Sequence, residues 1–94
     1  MKVLHYAGQT LHVSDEVAEV LLAAAMEFSD DDRTFRVPVA CYLGTVAHMS
    51  QLLIGPGIPL LVVDADDERD DPPGSEASSA FITELMESLV GLDD

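Results

Sequence analysis

His5 and His12 flank a short turn, and imidazoles facing each other across a hairpin can chelate Zn²⁺ or Cu²⁺. Two ligands do not close a site. His48, or a carboxylate among Asp30, Asp31 and Asp32, would have to complete it, and no spacing sets those distances. The ordinary reading is two strand histidines facing solvent or a partner subunit, so no metal is assigned and His5 and His12 stand only as metal candidates. Asp64, Asp66, Glu68 and Asp70 alternate like the opening of an EF-hand, whose acids converge hard oxygens on Ca²⁺. Arg69 occupies the sixth position, where Gly must turn the chain, and Ser75 the twelfth, where a bidentate Glu belongs. The run therefore reads as a solvated linker. Cys41 is the single thiol and would need a base such as His48 to act as a nucleophile. Its alternation with Phe35, Val37, Val39 and Leu43 points it inward, where a thiol is protonated and inert. No Ser lies in a nucleophile elbow, and Gly55-Pro56-Gly57 lacks the Lys-Ser or Lys-Thr of a phosphate loop. The chain is expected to be non-enzymatic and to carry no cofactor.

The elements that position these residues follow from periodicity. Residues 2–6 and 10–13 read as strands around a Gly8-Gln9 type II′ turn, pairing Tyr6 with Leu11, Leu4 with Val13 and His5 with His12. Ser14 is an N-cap, with Asp15 and Glu16 in the first turn of a helix over 15–29. Its apolar stripe is Val17, Leu21, Ala24 and Phe28, widened by Ala18, Leu22 and Ala25, and Asp30-Asp31-Asp32 forms a solvated loop after it. Residues 34–43 alternate as a strand, which Pro38 confines to an edge or a bulge. The segment 45–54 fits a returning strand or a helix with Val46, Met49 and Leu53 as its stripe, and the neighbouring strand favours the first. Gly55-Pro56-Gly57 has type II turn chemistry, and 58–63 reads as a buried strand.

Charge divides the chain of 94 residues more sharply than any motif. Residues 64–94 hold eleven acids and one base, whereas residues 1–63 hold seven acids and three bases, in a total of −14. The run 64–74 is too acidic and proline-broken to fold alone, yet Phe81, Ile82, Leu85, Met86, Leu89 and Val90 recur after it at helical spacing. Three parts result: a compact domain over 1–63, an acidic flexible linker over 64–76 and an amphipathic helix over 77–91. An isolated helix of about 12 residues is unstable in water, so Phe81, Ile82, Leu85, Met86 and Leu89 must bury their stripe. Three surfaces are open to it: its own sheet, a second subunit, or a groove on another protein.

The fold class is α+β: a small antiparallel or mixed sheet built from a hairpin, a helix and two or three further strands, with one long helix packed on it and a C-terminal helix after the linker. The opening ββα unit, over roughly the first 40 residues, resembles at fold level the ubiquitin-like β-grasp. Conjugating and sulfur-carrying members of that group act through a Gly-Gly tail; this chain finishes Gly91-Leu92-Asp93-Asp94. Four basic residues against eighteen acids argue against nucleic acid or an anionic membrane as partner. The longest apolar stretch, 52–63, is broken by Pro56 and Pro59 and falls short of the ~20 residues that span a bilayer. One cysteine and no basic, apolar leader at the start point to the cytoplasm. A core this small gains from dimerisation. The expected function is therefore protein association in a regulatory or accessory role as a homodimer, with an acidic inhibitor of a basic protein (an immunity protein or antitoxin) and a metal-binding protein using His5 and His12 as alternatives.

Overall fold

The computed structural model describes residues 1–92, with side chains through Leu89. Strands β1 (Lys2–Tyr6) and β2 (Gln9–Val13) form the opening hairpin. Its turn is Ala7-Gly8 rather than Gly8-Gln9: φ is 49° at Ala7 and 80° at Gly8, the two positive values of a type I′ turn. Pairing slides by two residues, to Tyr6 with Gln9, Leu4 with Leu11 and Lys2 with Val13, so His5 faces Thr10 and not His12. A slide of two keeps every side chain on its face, and Leu4, Leu11 and Val13 still enter the core. The expected register would pair Val3 with Ser14, a residue committed to the next element. Ser14 Oγ accepts the Val17 N–H at 3.1 Å and caps α1 (Asp15–Asp30).

Helix α1 buries Val17, Ala18, Leu21, Ala24 and Phe28, but Leu22, expected to widen that stripe, is exposed. Asp30 is its last helical residue and Asp31 its C-cap, so only the end of the acidic triplet is loop. Strands β3 (Phe35–Leu43) and β4 (Val46–Ile54) form a long second hairpin, which settles 45–54 as strand. Gly55 to Ile58 make the expected type II turn, with φ 78° at Gly57 and Ile58 N–H donating to the Gly55 carbonyl at 3.3 Å. Strand β5 is shorter than expected, Leu61–Asp64, because Pro59 has no ladder donor and only four residues pair with β1. As an edge strand it leaves Leu61 and Val63 exposed rather than buried.

The sheet is antiparallel throughout, in the order β4-β3-β2-β1-β5, and with its two helices gives an α+β fold; the mixed alternative is not realised. One face carries Leu4, Leu11, Val13, Val37, Val39, Cys41, Leu52 and Ile54 against α1. The sheet also curls. Tyr6 of β1 places its hydroxyl 3.0 Å from both the carbonyl oxygen and the nitrogen of Leu53 in β4, although β2 and β3 lie between those strands. Residues 65–74 join β5 to α2 (Ser75–Leu92), so the segment read as a linker over 64–76 gives Asp64 to β5 and its last two residues to the helix. Among the described residues, no helix is long and apolar enough to cross a membrane.

Candidate functional site

Helix α2 packs on its own chain, between α1 and β3. The reason lies in how β2 ends. The chain leaves β2 at Val13 to start α1, so β2 meets β3 only at His12 opposite Tyr42, and the N-terminal part of β3 has no strand beside it on the side away from β4. Pro38 sits in that open stretch, where its missing N–H breaks no ladder. Ala40 is two residues on, buried, and its N–H turns to the same side; Ser78 Oγ of α2 accepts it at 3.0 Å. Ser79 Oγ donates to Glu16 Oε1 of α1 at 2.9 Å. The helix thus fills the gap that another strand would occupy. Gly74 precedes it with a φ of 90°, a conformation that residues with a side chain rarely adopt.

This docking divides the expected interaction residues. Ile82 is 0 % exposed and Leu89 is buried, Leu85 and Met86 are half-buried, and Phe81 is 45 % exposed. The buried face is Ser75, Ser78, Ser79, Ile82 and Leu89, turned away from a stripe centred on Phe81. Sequence reading missed the serines because it weighted size. Their i, i+3, i+4 spacing with Ile82 was the available signal, since small hydroxyl side chains let a helix approach a strand edge closely and satisfy it. The side chain of Val90, the last member of the expected stripe, and the closing Asp93-Asp94 lie outside the described residues.

The acidic segment before α2 lies across the outer face of the sheet. Asp64 pairs with Lys2, and Ala65 N–H donates to the Met1 carbonyl. Asp67 turns down onto His12, with Oδ2 3.0 Å from Nδ1, and takes the Arg69 guanidinium at 2.7 Å. Arg69 stacks 4.1 Å from the centroid of the Tyr42 ring and donates to the Gly44 carbonyl at 2.8 Å. The Tyr42 hydroxyl in turn donates to the Asp70 carbonyl at 3.0 Å. Hydrogen bonds from Arg69, with a lesser one from His12, hold the Asp67 carboxyl well below the usual carboxylate range. Asp64, Asp66, Glu68 and Asp70, the four acids that mimic a Ca²⁺ loop, all stay exposed. The anchor is the half-buried Asp67 between them.

His5 and His12 share a face diagonally, with His12 Nδ1 already engaged by Asp67. Among the described residues no group of three His, Cys, Asp or Glu side chains could hold a metal ion. Cys41 and His48 are cross-strand partners, but the buried Cys41 Sγ lies 3.3 Å from Ser50 Oγ while His48 is exposed.

A different surface emerges at the far side of the sheet. Residues 37–63 contain no Asp, Glu, Lys or Arg, in a chain of net charge −14. Within them β4 forms one edge of the sheet, and Val46, Met49 and Leu53 are each at least half exposed, at 56, 50 and 51 %. An apolar groove of about 560 Å³ opens between the second half of α1, at Leu22, Ala25 and Met26, and the loop carrying Ile58 and Leu60. Comparison of the chain with protein-family models, curated proteins and solved structures finds no match.

Proposed function

We propose that this is a non-enzymatic protein that works by association, as a homodimer in a regulatory or accessory role. One observation carries the reading: residues 37–63, which hold no Asp, Glu, Lys or Arg in a chain of net charge −14, include an unpaired strand edge with exposed Val46, Met49 and Leu53. Copies that each carry −14 repel one another, and an edge strand without charged side chains is where that repulsion opposes contact least. The docking of α2 in cis supports the same choice of surface, because Ile82 and Leu89 are spent on the chain's own core. The reducing cytoplasm suits its single buried thiol, Cys41.

Sedimentation equilibrium across concentration and salt tests the proposal. The mass should rise from 10.1 kDa to twice that value, and added salt should strengthen association by screening the mutual repulsion. An acidic inhibitor acting on a basic protein would show the opposite response, losing its partner as salt rises. A chain that stays monomeric up to about 1 mM, the limit of weak specific binding, refutes the homodimer.

A further inference from the structure

The free edge of β4 is bounded at both ends. Ala40 turns its N–H away from β4, to Ser78, so the facing pair Ala40 and Met49 exchanges no hydrogen bonds and Met49 turns its own N–H and C=O outward. By the same alternation Ala47, Gln51 and Leu53 do so too. The Tyr6 hydroxyl occupies both groups of Leu53, as the outward phase requires. At the other end the strand stops at the Gly44-Thr45 turn. Ala47, Met49 and Gln51 remain, and among the described residues nothing takes their outward backbone groups. Met49 is the midpoint.

We infer that a second copy of this chain pairs antiparallel along this edge, β4 to β4, on a twofold axis at Met49. The inference rests on the homodimer reading and names its surface and register. In this register Met49 exchanges both backbone bonds with Met49 of the second copy, and Ala47 does so with Gln51 on either side, giving six N–H to C=O bonds. The turn of each copy then arrives where the other copy's Tyr6 closes Leu53, so the free stretch is used completely. Val46 comes to face Leu52 of the second copy on the core side, and His48 faces Ser50. The result joins two five-stranded sheets into one.

The occupant follows from charge and symmetry. Natural edges are commonly guarded by Lys, by Pro or by a bulge, and β4 has nine residues with no charge, no Pro and an unbroken register to β3. A basic partner would be drawn to the acids elsewhere on the chain, whereas an identical edge presents the same three residues about the same midpoint. The parallel arrangement cannot be generated by such a twofold axis.

Cross-linking and a backbone block test the register. Met49→Cys places thiols on residues about 5.5 Å apart at Cα, within disulfide reach, and mild oxidation should give a covalent dimer. Ala47→Cys stands about 13 Å along the strand from its own symmetry mate and should not cross-link alone, but should do so when combined with Gln51→Cys. Gln51→Pro removes an outward N–H that serves no bond to β3 and should weaken dimerisation by about ten-fold or more while circular dichroism stays native. Should that variant unfold, the cysteine pattern decides. A wild-type monomer overturns the homodimer reading and this inference together. A wild-type dimer whose Met49→Cys variant fails to cross-link, or whose Ala47→Cys variant cross-links alone, overturns the register and leaves homodimerisation standing.

Discussion

Ile82→Ala measures how far α2 belongs to the core of its own chain. Ile82 is 0 % exposed among residues of α1 and the sheet, and the substitution removes three carbon atoms. At about 0.8 kcal/mol for each buried methylene, transfer alone costs about 2.4 kcal/mol, and the cavity brings the loss to about 3 kcal/mol. For a domain of this size that lowers Tm by about 12–24 °C. Phe81→Ala, one residue away but at a 45 % exposed position, should cost under about 1 kcal/mol. Urea unfolding of both variants, followed by far-ultraviolet circular dichroism at two concentrations ten-fold apart, separates cis from trans docking. In cis, the difference between Ile82→Ala and wild type is the same at both concentrations. Equal losses for the two variants, or a loss for Ile82→Ala that fades as concentration rises, would refute the packing of α2 on its own chain.

Ser78→Ala leaves the buried Ala40 N–H without an acceptor and should cost about 1–3 kcal/mol in the same urea assay, a loss far above that of an exposed helical Ser→Ala change. Acid should expose the role of Asp67. Its folded carboxyl lies below the ordinary 3.8, so its contribution is complete above that value and is lost as pH falls through the folded value. The wild-type urea midpoint should therefore drop more steeply below about pH 4 than that of Asp67→Asn, and parallel curves would show that the Arg69 and His12 contacts do not stabilise the fold.

The acidic segment over 65–74 changes the meaning of the charge asymmetry. Read along the chain it is a repulsive run that should keep its distance. In space, Asp67 meets Arg69 and His12, Asp64 meets Lys2, and Arg69 covers Tyr42. Three of the few basic or imidazole side chains are thus placed where they hold this run against the sheet, and the acids left over face solvent. That economy is invisible in a net charge of −14, which counts groups without their neighbours.

Local chemistry is legible in the sequence itself. Ser14 as a cap, Pro56-Gly57 as a type II turn, the α1 stripe and the alternation of β3 all depend on residues within a few positions of one another, and they determine the α+β class. The hairpin register was out of reach, because a slide of two residues leaves the period-two pattern unchanged and only the demand for Ser14 by α1 breaks the tie. The contacts that define the candidate surface join residues far apart in the chain: Tyr6 to Leu53, Ala40 to Ser78, His12 to Asp67. Apolar periodicity states that α2 must be covered and leaves open which of its faces is covered, since Phe81 and Ile82 are both apolar. Tertiary structure decides for Ile82, because an unpaired buried N–H on β3 needs a hydroxyl and Ser78 lies one turn before Ile82 on the same face.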